Sequence, residues 1–177
     1  EQECSDRLLA EPPQLAFESV EIQGAPMCKP TGEVLDVTEV AAGVFVHMGQ
    51  IAEPDQINRG DVTNLGFVIG ETGVAVIDTG TARWMGEALW RAIRLRTDLP
   101  VTHVVLTHMH PDHVLGMPPF VAVGALAVGH ENLPRALSDR RANYLESLNR
   151  LIGAADFLGT EIMPIDTLVQ DKVQIDL

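Results

Sequence analysis

Three apolar runs restrict the possible fold more than any other feature of the chain: LGFVIG at 65–70, VAVIDTG at 74–80 and VTHVVLTH at 101–108. The first two are joined by Glu71-Thr72-Gly73 and read as a hairpin with a glycine-containing turn. Neither alternates apolar with polar residues, so both are expected to be covered on both faces; VTHVVLTH reads as a further buried strand. Between the second and third runs, residues 82–96 change to helical spacing. Trp84, Met85, Ala88, Leu89, Ala92 and Ile93 share one stripe, with Arg83, Glu87, Arg91 and Arg94 opposite. Strands with helices laid on them give an α/β layered domain.

The remaining segments extend that pattern. VTEVAAGVFVHMG, 37–49, reads as one or two strands and is followed by a polar loop, 50–64. FVAVGALAVGH, 120–130, is β-like, and LVQDKVQIDL, 168–177, alternates like a strand. A long helix is expected over 133–152, with Pro134 in its first turn and Gly153 at its exit. Residues 1–33 form a separate arm with Pro12, Pro13, Pro26 and Pro30, in which LAFESVEIQ, 15–23, reads as a short strand. The domain proper is expected over 34–177.

Charge narrows the partners. A formal net charge of −13 repels a phosphate backbone, which argues against nucleic acid. No run approaches the roughly 18 apolar residues of a membrane span, so no membrane insertion is expected. The opening EQECSDRLLAEPPQ lacks the basic and apolar regions of a signal peptide. Cys4 and Cys28 fit a disulfide formed in an oxidising compartment, and so a periplasmic or secreted protein; two free thiols are the alternative. The RGD at 59–61 lies in the polar loop, where those residues are common for turn reasons.

THMHPDH, 107–113, concentrates the chemistry. His108 and His110 follow a strand and can turn toward one point. Asp112 and His113 are adjacent, so their side chains diverge and can serve a second point, while Pro111 stiffens the spacing. Imidazole and carboxylate donors suit Zn²⁺, which lowers the pKa of bound water to about 7. With six histidines in the whole chain, three in one short window is not a chance arrangement. His47 and His103 lie inside apolar strands and are expected to be core or edge residues; His130 is expected to bond locally near Asn132.

The H-x-H-x-D-H after a buried strand resembles the metal-binding signature of the metallo-β-lactamase superfamily, and the VIDTG hairpin and following helix resemble its N-terminal half. The resemblance implies an αββα sandwich, of which this chain covers the N-terminal αβ half and is incomplete at its C-terminus. It places a first metal on His108 and His110 and a second on Asp112 and His113, with Asp112 also the catalytic carboxylate and Asp78 a buried support beside the ligands. It implies a two-zinc hydrolase acting on an ester, thioester or lactam bond of a small-molecule substrate. The stretches INRGDVTNLGFVIGETGVAVIDTG, THMHPDHVLGM and VGHENLP are similar to the periplasmic zinc metallohydrolases of quinoprotein relay systems.

The superfamily site also draws a further histidine for each metal and a bridging aspartate from later strands, which the residues after His113 do not supply. A lone αβ half would expose a sheet face, so self-association or a missing C-terminal half is expected. In relatives the loop corresponding to 50–64 leans over the metals. Two alternatives remain: a non-haem iron oxidoreductase of the persulfide dioxygenase type, and an inactive half-domain serving as a binding module.

Overall fold

The structure, a computed structural model, describes residues 31–177. The arm's strand at 15–23 and the Cys4–Cys28 pair lie outside the described residues.

Seven strands form one sheet: β1 (Thr38–Ala41), β2 (Val44–His47), β3 (Leu65–Ile69), β4 (Val74–Ile77), β5 (Val101–Val105), β6 (Leu126–His130) and β7 (Thr167–Val169). Their spatial order is their sequence order. β1 to β4 pair antiparallel, and β4 to β7 pair parallel. The helices are α1 (Arg83–Arg94), α2 (Pro111–Val114), α3 (Pro118–Val121), α4 (Leu133–Ile152) and α5 (Ala154–Phe157). Among the described residues no helix is long and apolar enough to cross a membrane.

α1 forms where the 3.6-residue spacing predicts. Met85, Ala88, Leu89, Ala92 and Ile93 are fully buried and join one core with Leu65, Phe67, Val74, Val76 and Val104 of the sheet. On its outer face Glu87 bridges Arg83 and Arg91, each one turn away. Phe45 stacks on Phe67 with ring centroids 4.8 Å apart, extending the core toward the antiparallel edge. α4 spans the expected residues. Pro134 fits its first turn because the missing N–H has no helical partner there, and Gly153 leaves it at φ 91°.

Three expectations need correction. The stretch 120–130 is not a continuous strand: α3 occupies Pro118–Val121, a turn follows, and only Leu126–His130 is β6. Pro118 and Pro119 pre-set a helical first turn, and Phe120 is fully buried edge-on to Trp90 of α1. Tertiary burial thus overrides the β propensity of the valines. The alternating 168–177 is β only as far as Val169. Beyond it the chain leaves the sheet edge and returns to the β3–β4 turn, where the Leu177 carbonyl accepts the Glu71 N–H at 3.0 Å.

The third correction concerns sheet coverage. The helices cover one face. On the other, Val44, Val46, Val68 and Ile77 are only half-buried and line an open apolar depression of about 390 Å³. Among the described residues, no helix closes this depression over β2 to β4. Among the described residues, the expected cover is therefore present on the helix-bearing face of those strands and absent over β2 to β4 on the other.

Candidate metal centre

The site lies where parallel β4 and β5 end, the usual position for a site in such a sheet. β4 leads into Asp78, which sits at φ 56°, a left-handed conformation that aspartate tolerates better than most residues. The Asp78 N–H still donates to the Val105 carbonyl at 2.9 Å, so its backbone is held by the neighbouring strand. The turn returns its side chain over the end of β5.

Asp78 is 3% exposed, and its carboxylate accepts three hydrogen bonds. Oδ1 takes the Thr107 N–H at 2.8 Å, and Oδ2 takes the Thr107 hydroxyl at 2.6 Å. Oδ2 also accepts Nδ1–H of His113 at 2.7 Å. Thr107 reaches onward to His108 Nδ1 at 2.9 Å. One aspartate therefore orients both the strand end that carries His108 and the ring of His113. This is the usual role of a carboxylate behind a metal-ligating imidazole.

His113 is carried by α2, a single helical turn begun by Pro111 with His110 as its N-cap. Sequence reading gave Pro111 only a stiffening role; its effect is to wind this turn. The turn is clamped from below: the His113 carbonyl accepts Thr79 N–H at 2.8 Å and the Thr79 hydroxyl at 3.0 Å. Gly116 lies so close to the Thr79 carbonyl and to Gly86 of α1 that a side chain there has no room.

The rings of His108 and His113 lie 4.1 Å apart, centroid to centroid, and those of His108 and His110 4.6 Å apart. One ligand atom from each of Asp78, His108 and His113 lies within 4.8 Å of the others. His110 is exposed at the rim, and Asp112 Oδ2 approaches His113 Nε2 at 3.3 Å. Asp112 and His113 also border an open depression of about 420 Å³ whose other wall is Gly49–Ala52 and Val62–Asn64. The loop 50–64 therefore borders the site.

The electrostatics follow the contacts. Burial works against a charged His113, but hydrogen bonds to Asp112 and Asp78 outweigh it and raise its pKa to about 9. His108 is shifted down, first by burial and then by the charges of His113 and His110. Burial pushes Asp112 up, but its hydrogen bond with His113 prevails and holds it below the usual carboxylate value. Close imidazoles of opposed tendency, beside carboxylates and with mutual repulsion when protonated, are a donor set that a divalent cation would relieve.

The other histidines are elsewhere. His47 is buried and bonded to the Asp36 carbonyl and to Asp61, each at 2.8 Å. His103 meets Thr102 Oγ1 at 2.9 Å, and His130 Nδ1 accepts the Asn132 N–H at 3.1 Å. Two residues at the centre were not singled out from the sequence. Thr107 stands beside the H-x-H and at a strand end, a signal that could have been read. Thr63 is a lone threonine in a polar loop, with no sequence signal; its Oγ1 lies 2.9 Å from His113 Nε2.

No curated protein matches the chain. Among solved structures it is similar to a metallo-beta-lactamase from Pontibacter korlensis, at 24% identity and TM-score 0.50, over 60% of this chain and 48% of that one. It is also similar to a metallo beta lactamase from Hirschia baltica, at 15% identity and TM-score 0.56, over 77% and 52%. The chain spans about half the length of these structures, and at such identities the likeness is one of fold. That coverage fits one αβ half of the sandwich. The metallo-beta-lactamase superfamily model matches residues 58–169, a stretch that begins in the loop facing His113 and contains β3 to β7 and every residue of the centre, and the chain belongs to that superfamily.

Proposed function

We propose that this protein is a zinc-dependent hydrolase of an ester, thioester or lactam bond. The observation that carries the proposal is the convergence of His108, His113 and the buried Asp78 at the ends of β4 and β5, with His110 and Asp112 beside them. In this reading His108 and His110 hold one metal, and Asp112 and His113 a second. Zinc bound there supplies Lewis acidity and lowers the pKa of a bound water. Asp78 fixes His113 through Nδ1 and so directs Nε2 outward. Asp112, the catalytic carboxylate in this reading, stays ionised beside His113 and can orient a water or take up a proton at the mouth of the depression. The loop 50–64 forms the opposite wall and excludes water from a bound substrate.

Within the superfamily, the stretches around the VIDTG hairpin, THMHPDH and VGHENLP favour the zinc metallohydrolases of quinoprotein relay systems, and with them a periplasmic location. The half-exposed Val44, Val46, Val68 and Ile77 favour a second αβ layer packed on this sheet, from further chain or from a second copy.

Native mass spectrometry of the purified protein tests the metal reading, because it reads chain mass and bound metal together. The expected result is zinc retained in the folded protein and lost when His108 and His110 are both replaced by alanine. Full metal occupancy in that double variant would refute the ligand assignment. Iron in place of zinc, with oxygen consumed on a persulfide, would instead identify the oxidoreductase.

A further inference from the structure

His47 takes no part in the metal centre, yet it is buried, at 6% exposure, at the end of β2. Both of its ring nitrogens meet oxygen: Nδ1 lies 2.8 Å from the Asp36 carbonyl, and Nε2 lies 2.8 Å from Oδ1 of Asp61. A carbonyl and a carboxylate only accept hydrogen bonds. A neutral imidazole carries one N–H, so it can serve one of these oxygens while the lone pair of its other nitrogen faces the second. Only the imidazolium, with an N–H on each nitrogen, donates to both. The contacts therefore select the charged ring on geometry alone. The charged groups that act on it are Asp61 in the loop and Asp36 ahead of β1, and both favour the charged ring. β2 carries no other charged residue, and the partner of His47 on β3 is Leu65.

Asp61 is the point at which loop 50–64 is fastened to this ring. Its carbonyl accepts the Gln50 N–H at 3.0 Å, which joins the outgoing and returning limbs of the loop. Beside that junction Asn64 Oδ1 accepts the Gly49 N–H at 3.2 Å, and Gly49 lies so close to the Thr63 backbone that a Cβ there would overlap it. Residues 49–52 and 62–64 are thus tied to Asp61, and they are the wall that faces Asp112 and His113 across the open depression. The stretch just before is held differently. The Gly60 carbonyl accepts the Thr81 hydroxyl at 2.6 Å, and the Arg59 carbonyl accepts Trp84 Nε1–H at 3.1 Å. Neither bond involves a group that titrates near neutral pH, so Arg59 and Gly60 form a fixed pivot, and the part beyond them depends on His47.

We propose that the His47–Asp61 pair is a pH-sensitive latch on the wall of the metal centre: the charged ring holds residues 49–52 and 61–64 in place beside Asp112 and His113, and loss of its proton to solvent frees them. Because the charged state is the bonded one, the latch is shut at lower pH and opens as pH rises. Its consequence for substrate entry rests on the hydrolase reading above; the latch itself does not, and its test reads the loop alone.

The test is amide hydrogen exchange, followed by mass spectrometry of the purified protein from about pH 6 to about pH 10, a range that starts below the ordinary histidine value of about 6.5. Rates are divided by those of unstructured peptides of the same sequence, and β4 and β5 serve as the internal reference. In the wild type, protection of Gly49, Gln50 and the 61–64 segment is expected to fall by about 10–100-fold relative to the reference strands as pH rises, the worth of one hydrogen bond to a charged group. Asp61→Asn decides the cause. An asparagine amide accepts from the imidazolium through Oδ1 and donates to the neutral ring through Nδ2, so this variant is expected to keep its loop protected at every pH. His47→Gln is expected to show the low protection of the open loop at every pH. A wild-type loop without the fall overturns the latch. So does an equal fall in Asp61→Asn, which would trace the response to another group, His113 included. Should His47→Gln fail to fold, the wild type and Asp61→Asn still decide. A protein whose loop responds as expected but which takes up no Zn²⁺ would remove the metal reading and leave the latch standing.

Discussion

Among the described residues are two part-buried histidine–aspartate pairs of nearly equal length, and they do different things. His47 Nε2 meets Asp61 at 2.8 Å, and His113 Nδ1 meets Asp78 at 2.7 Å. Both histidines are shifted toward the charged form. The difference lies in the second ring nitrogen. That of His47 faces the Asp36 carbonyl, which can only accept, so both nitrogens of His47 are taken up by the fold. That of His113 faces a hydroxyl, a second carboxylate and an open depression, with another imidazole stacked close by. A carboxylate partner does not by itself mark a functional histidine; what the remaining nitrogen faces does.

The most damaging way to probe this contrast is at Asp78. Asp78→Ala leaves the Thr107 N–H, the Thr107 hydroxyl and the His113 Nδ1–H without their shared acceptor. Urea denaturation is expected to show a loss of about 3 kcal/mol or more, since hydrogen bonds to charged groups are individually worth about 1.5–3 kcal/mol. Zn²⁺ affinity is expected to fall by about 10–100-fold, the usual cost of removing the carboxylate behind a metal-ligating imidazole. Undiminished affinity in this variant would mean that Asp78 does not orient the centre.

His47→Gln is the complementary change. It should cost about 1–3 kcal/mol of stability, because Asp61 and the Asp36 carbonyl lose a charged donor. The ligand rings are untouched, so zinc affinity should stay within about threefold, allowing for a slight shift of the loop behind Thr63. If this variant lost zinc as severely as Asp78→Ala, the two pairs would not be separable.

The smallest effect expected is in pH. The His47 pKa is raised: its hydrogen bond to Asp61 is the largest cause, burial opposes it, and the Asp36 carbonyl and the charges of Asp61 and Asp36 add to it. A raised folded-state value means that the pair's contribution is fully present below the unfolded pKa of about 6.5 and is lost as pH rises through the folded value. In urea titrations of metal-free protein, the stability gap between wild type and His47→Gln should therefore narrow as pH increases above about 6.5. A gap that widened instead would place the charge on the wrong partner.

Much of the fold was legible because its signals are local. The stripe of α1, the Pro134 start and Gly153 end of α4, and the Gly73 turn between β3 and β4 each depend on a few adjacent residues. The Pro118-Pro119 turn was misread because burial of Phe120 decides it, and that depends on Trp90 across the core. The same divide runs through the centre. That His108, His110, Asp112 and His113 gather after a strand is visible in seven consecutive letters. That His113 turns one nitrogen to Asp78 and the other to Thr63 depends on partners 35 and 50 positions away, brought together by strand pairing. Likewise His47 read as a core residue, but its bond to Asp61 spans a loop with no pattern to announce it.

The sheet's spatial order, identical to its order along the chain, has a consequence for assembly. Each strand finds its partner in the strand made just before it, so no strand must be inserted between two that are already joined. The antiparallel hairpins β1–β2 and β3–β4 close through short turns, whereas each parallel pair closes through a longer crossover, so the entropy of bringing segments together is met strand by strand. Asp78, His108 and His113 can thus be drawn together by the pairing of β4 with β5, before β6, β7 or the returning tail has been made. During synthesis from the N-terminus, the centre belongs to the early-forming part of the molecule.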